Sequence, residues 1–270
     1  LNLPKPASLD WLDQLIELVV TAQNNDLLVK RIERDTRALL EKRAERPEMC
    51  WLLLAFTAFL QGERDECIRC AEAACALANH ETMILGNVSS LFGNMGDARR
   101  AASYADRLAA VSSGNPRFAI HAARVLCAAL HLEAAAQIMH SRGVRHALDE
   151  HDSILGEDEF LRDIDNAVDL FQTAGVDADL RVALLESAVL AVRSKGCAIR
   201  QVMPILYPED DTMRYELYAQ APARRCAELS FAIAEALVEK FDDAYPELIT
   251  FSCRPLTSYR PANTFAESLA

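Results

Sequence analysis

Apolar positions recur at intervals of three and four along most of the chain, and nothing between Leu9 and Leu206 alternates as a half-buried strand would. That pattern predicts an all-α protein. Ser8 follows Pro4 and Pro6 as a cap for a helix from Leu9 to about Thr21, whose apolar stripe is Leu12, Leu15, Ile16 and Val19. A turn at Asn24 and Asn25 leads into a second helix, Leu27 to about Arg46, which Pro47 ends. Further helices are expected from Ala178 to Ser194, from Cys197 to about Leu206, and from about Ala223 to Phe241. Tyr207 to Pro222, with prolines near both ends, reads as a loop or short helix. Tyr245 to Ala270, with Pro246, Pro255 and Pro261, reads as irregular chain that packs on the body or is ordered by a partner.

The middle of the chain repeats itself. Gly62 and Gly96 stand 34 residues apart, and the same step reaches Leu130. In the unit Glu48 to Glu81 the pattern runs Trp51, Leu54, Ala55, Ala58, Gly62, Cys67, Ala71, Ala74. From Thr82 to Asn115 the same places hold Leu85, Val88, Ser89, Phe92, Gly96, Ala101, Ala105 and Leu108. Pro116 to Asp149 offers Ala119, Ala122, Ala123, Leu126, Leu130, Ala135, Met139 and Arg142. The period persists while the residues decay.

The phrases WLLLAFTAFLQGERDECIRCAEAACAL and ILGNVSSLFGNMGDARRAASYADRL resemble the tetratricopeptide repeat (TPR), a two-helix hairpin of 34 residues. The usual terminal Pro is replaced by Asn79 and Ser113, and the third unit lacks the turn Gly. The resemblance implies antiparallel helical hairpins stacked as a right-handed solenoid, divided into capping helices at 1–47, three degenerate repeats at 48–149, an acidic helical region at 150–244 and an irregular tail at 245–270. It implies a concave peptide-binding face built by the first helix of each unit, with Met49, Leu52, Phe56 and Phe59 at an apolar end, Asn94 in the middle, and Arg117 and Arg124 at a basic end. The repeated Lys and Asn set that clamps a terminal carboxylate in chaperone-binding members is missing. The function so implied is a noncatalytic adaptor, chaperone or regulator. The competing reading of Leu52, Phe56 and Phe59 is that they bury the chain's own helices, since both roles demand the same residue types.

Charge and composition narrow this further. The 270 residues carry a net charge of -12 and a sequence pI near 5.0, which disfavours a chain devoted to long nucleic acid. Residues 1–150 hold 17 basic and 19 acidic side chains, residues 151–270 hold 11 and 21, so the negative field belongs to the second part and suits a partner with a basic surface. No run reaches the roughly 18 apolar residues of a membrane span. Eight cysteines scattered through helical segments predict free thiols in a cytoplasmic protein. Cys67, Cys70, Cys75 and His80 read as packing rather than as a zinc set, and Asp152, Glu157, Asp158 and Glu159 lack the spaced loop of a calcium motif.

Catalytic motifs are lacking: there is no phosphate loop, no His-Glu-x-x-His and no Gly-x-Ser-x-Gly. His121, His131, His140, His146 and His151 lie on different helical phases. The expectation is therefore no cofactor and no metal, with a protein or peptide partner and homodimerisation through exposed terminal helices. Two alternatives stay open. One is a nucleic-acid-linked regulator using the basic helix from Lys30 to Arg46, and the other is an enzyme whose site assembles from distant residues.

Overall fold

The computed structural model describes residues 7–112, 115–141, 143–145, 157–207 and 209–260. Eight helices come first: α1 (Ala7–Val20), α2 (Asp26–Lys42), α3 (Pro47–Gln61), α4 (Arg64–Leu77), α5 (Thr82–Asn94), α6 (Ala98–Val111), α7 (Pro116–Ala128) and α8 (Leu132–Met139). Local chemistry sets their ends. The Asn25 side chain accepts from the Leu28 amide at 3.1 Å, Asn115 caps α7 ahead of Pro116, and Pro47 opens α3 where its missing N–H is no loss. Helices α3 and α4, α5 and α6, and α7 and α8 pair as hairpins, and α1 and α2 pack on α3.

The 34-residue spacing has a backbone meaning. Gly62, Gly96 and Leu130 all occupy the left-handed region, at φ of 80°, 66° and 62°. Each sits in the turn of its hairpin. Leucine adopts this conformation at a cost that glycine avoids, which is why the third repeat is hard to see in sequence.

Beyond α8 the architecture changes. After α9 (Glu157–Thr173) and α10 (Ala178–Ser194) the chain forms β1 (Ile199–Tyr207), β2 (Thr212–Ala219), α11 (Ala223–Lys240) and β3 (Ile249–Pro255), closed by a short 3-10 turn at Leu256–Ser258. The sheet order is β1-β2-β3, with β1 antiparallel to β2 and β2 parallel to β3 across α11. This overturns the all-α expectation. The segment expected as a helix from Cys197 is an edge strand, where Pro204 is tolerated because one side needs no ladder donor. The segment Tyr207 to Pro222 contains the central strand, and the tail expected as irregular contributes β3; residues 261–270 lie outside the described residues.

The α/β unit seats itself on the row of hairpin turns. Gln201 donates to the Val19 carbonyl at the end of α1 (2.7 Å), Arg200 to Leu60 at the end of α3 (2.7 Å), Arg193 to Met95 after α5 (2.7 Å), and the Tyr215 hydroxyl to Ala128 at the end of α7. Every odd helix of the array thus has a C-terminal carbonyl satisfied by this unit. Two of the four donors are guanidinium groups, whose positive charge the negative end of a helix dipole favours. Arg181, fully buried, donates to the Leu130 carbonyl at 3.3 Å and to Val176 at 2.8 Å, and pairs with Glu133. The molecule is a mixed α/β protein with one continuous core, not a purely helical TPR-type solenoid.

Candidate functional site

The face expected to bind peptide is filled. Met49, Leu52, Phe56 and Phe59 are all buried, Leu52 at 0% exposure, and Arg124 is buried as well; Asn94 is half-buried and Arg117 alone is exposed. Helix α1 packs on α3, β1 packs on α5 and α7, the Arg200 guanidinium stacks over the Phe59 ring at 4.9 Å, and Arg124 stacks over Phe160 of α9 at 5.6 Å. An open concave groove, and the adaptor role built on it, are therefore ruled out by the chain's own second half. The apolar residues meant for a partner are satisfied internally.

A different cavity opens where the two halves meet. It has a volume of about 300 Å³ and is lined by Phe59 and Gly62 of the first turn, Arg64 and Asp65 at the start of α4, Met95, Arg193 near the end of α10, and the link Gly196–Cys197–Ala198–Ile199 into β1. Gly62 takes up the left-handed φ of 80° in this turn, with the Ala198 side chain of the link beside it. Gly196, at φ 74°, ends α10 and turns the link toward the array.

Two guanidinium groups dominate the walls. Arg64 pairs with the buried Asp97 at 2.8 Å and with exposed Asp65 at 3.3 Å, while its Nε is buried without a partner. Arg193 gives one hydrogen bond to the Met95 carbonyl, and among the described residues no carboxylate lies within salt-bridge distance of it. Burial, and then the positive charge of Arg64, pull its pKa down to about 10, with Asp97 and Asp65 opposing from longer range. Cys197, half-buried on the same wall, is the one thiol not fully buried. A half-buried cationic group without a full counter-ion is electrostatically incomplete. An anion entering this cavity would complete it.

Other clusters are accounted for by packing. Ser90 and the His121 ring share a hydrogen bond of 2.9 Å between α5 and α7, and burial holds His121 below its usual pKa. His140 meets Asp165 at 2.8 Å on the surface, whereas His146 and His151 lie outside the described residues. Along α2 and the loop after it, Arg34 faces Asp35 (2.8 Å), Arg37 faces Glu33 (2.9 Å) and Glu66 (3.6 Å), and Arg46 faces Glu48 and Glu81. Three of the seven basic side chains from Lys30 to Arg46 are thus paired with carboxylates, while Lys30, Arg31, Lys42 and Arg43 are exposed. Among the described residues no three His, Cys, Asp or Glu side chains gather as a metal-ligand set, and no helix is long and apolar enough to cross a membrane. A second cleft, of about 490 Å³, runs between α9 and the far end of the sheet, with Asn166, Asp169 and Asp211 above Leu170, Leu206 and Leu248.

Sequence reasoning did not single out Arg64, Arg193 or the Gly196–Cys197 link. Arg193, Lys195 and Gly196 read as an ordinary helix ending, with basic residues in the last turn and Gly just past it. No family description, curated protein or solved structure matches this chain.

Proposed function

We propose that the protein binds a small anionic molecule, bearing a carboxylate or phosphate, in the cavity between the helical array and the α/β unit. The observation that carries this reading is the Arg193 guanidinium, half-buried beside Arg64 with no carboxylate partner among the described residues. Arg64 supplies an unpartnered Nε, Phe59 and Met95 supply an apolar wall for the body of the ligand, and the cavity has the size of a small-molecule site. One wall belongs to the array and the other to α10 and the link into β1, so occupancy reinforces the docking of the α/β unit on the array. The protein is on this reading a ligand-responsive binding protein, and its eight free cysteines suit a reducing compartment.

The test is a thermal-shift and calorimetric series with inorganic phosphate, sulfate and short mono- and dicarboxylates. A true ligand at a hundredfold excess over its Kd adds roughly 2.7 kcal/mol of stability. Arg64→Gln removes the positive charge, leaves Asp97 its partner Arg100 (3.1 Å) and leaves the Met95 contact of Arg193 intact, so it lowers affinity by about tenfold or more while the fold persists. If none of these anions shifts the melting transition, or if Arg64→Gln leaves a measured affinity unchanged, the assignment fails.

A further inference from the structure

Helix α11 buries Cys226, Leu229, Ile233 and Leu237 toward the sheet and α10. Its opposite face is apolar too. Ala227, Phe231, Ala234 and Val238 are all exposed, Phe231 at 74% and Val238 at 76%, and they recur at steps of four, three and four, which is the seam of a two-helix pairing. No described element covers this stripe. Scattered exposed apolar residues are ordinary in a soluble protein, but two large ones aligned on one seam are not.

The stripe is complementary to itself when reversed. A two-fold axis between residues 232 and 233 sets Phe231 against the partner's Ala234 and Ala227 against the partner's Val238, so each large side chain meets a small one. The ends match in charge as well: Arg224, 94% exposed, lies at the start of the helix, while Glu239 stands in its last turn and Asp242 and Asp243 follow its end. Antiparallel pairing brings these ends together and opposes the two helix dipoles favourably. A parallel pair would stack Phe231 on Phe231 and arginine on arginine.

We infer that two copies of this chain associate antiparallel through the outward face of α11, forming an isologous dimer. The seam carries its own brake. Glu228 and Glu235 each follow a seam residue by one position, so Glu228 faces the partner's Glu235, and only Arg225 (2.8 Å) and Arg224 (3.7 Å) on its own helix offset Glu228. The dimer is consequently reversible.

Sedimentation velocity over a concentration series tests this with the full chain. Wild type passes from monomer to dimer, Phe231→Glu stays monomeric with an unchanged circular dichroism spectrum, and Glu235→Arg shifts the transition to concentrations about tenfold lower. The register is tested separately. Under mild oxidation, Ala227→Cys mixed with Val238→Cys gives a covalent dimer, neither variant alone does so to the same extent, and unmixed wild type serves as the thiol background. A wild-type chain that stays monomeric up to its solubility limit overturns the proposal. So does a dimer that Phe231→Glu leaves intact, a Glu235→Arg variant that weakens association, or cross-linking by Ala227→Cys alone, which would mean a parallel pair.

Discussion

In the helical array each element finds its partner next door: α3 folds on α4, α5 on α6, and α7 on α8, each across a turn of a few residues. In the α/β unit the central strand β2 takes β1 from one side through a hairpin, but its other neighbour, β3, arrives only after the whole of α11. The array is therefore built from short-range contacts that repeat. The unit is built from long-range ones that do not. What the difference teaches lies at their boundary, because the array leaves the C-terminal carbonyls of α1, α3, α5 and α7 unfinished, and the unit finishes them with Gln201, Arg200, Arg193 and Tyr215.

The sharpest way to break this junction is at Gly96. A Cβ there would lie 2.6 Å from the Val189 side chain of α10, on a backbone already at φ 66°. Gly96→Ala combines a left-handed strain of about 1–2 kcal/mol with a steric clash costing about 1–3 kcal/mol. Gly175→Ala is the control, since its φ of 72° is as demanding but nothing lies within 4 Å of the added carbon. Chemical denaturation of the two variants should therefore separate them, with Gly96→Ala the less stable and the difference reporting the junction alone. Equal losses would mean that α10 yields easily and that the two regions are only loosely joined.

A smaller effect is expected at Tyr215, which is fully buried against Phe251 and whose hydroxyl donates to Ala128. Tyr215→Phe keeps the ring and strands that carbonyl at the end of α7, at a cost of about 1–3 kcal/mol. Amide exchange in α7 and in β2 should accelerate together. Exchange that rises in only one of them would show that the hydrogen bond does not couple the regions.

The smallest effect belongs to pH. Burial holds both His121 and His131 below the ordinary histidine value of 6.5. The unfolded chain then takes up protons first as pH falls below 6.5, so the stability that these two neutral rings contribute is complete above that value and declines beneath it. Both lie in the array, and His121→Asn should flatten the decline of the melting temperature between neutral and mildly acidic pH. A slope left unchanged by this substitution would mean that His121 takes no part in the proton uptake.

How far the sequence could be read follows the same division. The helix ends at Asn25, Pro47, Asn115 and Asp177 are local chemistry, and α10 falls on Ala178 to Ser194, the range that apolar spacing had indicated. The strands hid themselves for separate reasons. The β1 segment carries Pro204 and follows a Gly that ends a helix, while β3 sits among prolines that suggested irregular chain. Neither strand has a stable conformation without β2 between them. The cavity was invisible for a related reason, since Arg64 and Arg193 are far apart in sequence and each looks like an ordinary helix-end residue until Gly62 and Ala198 come into contact.

By itself, then, the sequence determined the helices of the array and the step of its turns, because capping, proline placement and a 3.6-residue apolar period act within a few residues. Tertiary structure alone decided that Leu52, Phe56 and Phe59 face the interior rather than a partner. It also decided that Arg193 ends half-buried without a full counter-charge, because both outcomes depend on where the second half of the chain docks. An apolar face records only that something covers it, and an arginine records only its charge; the identity of the cover and the presence of a counter-ion are properties of the assembled fold.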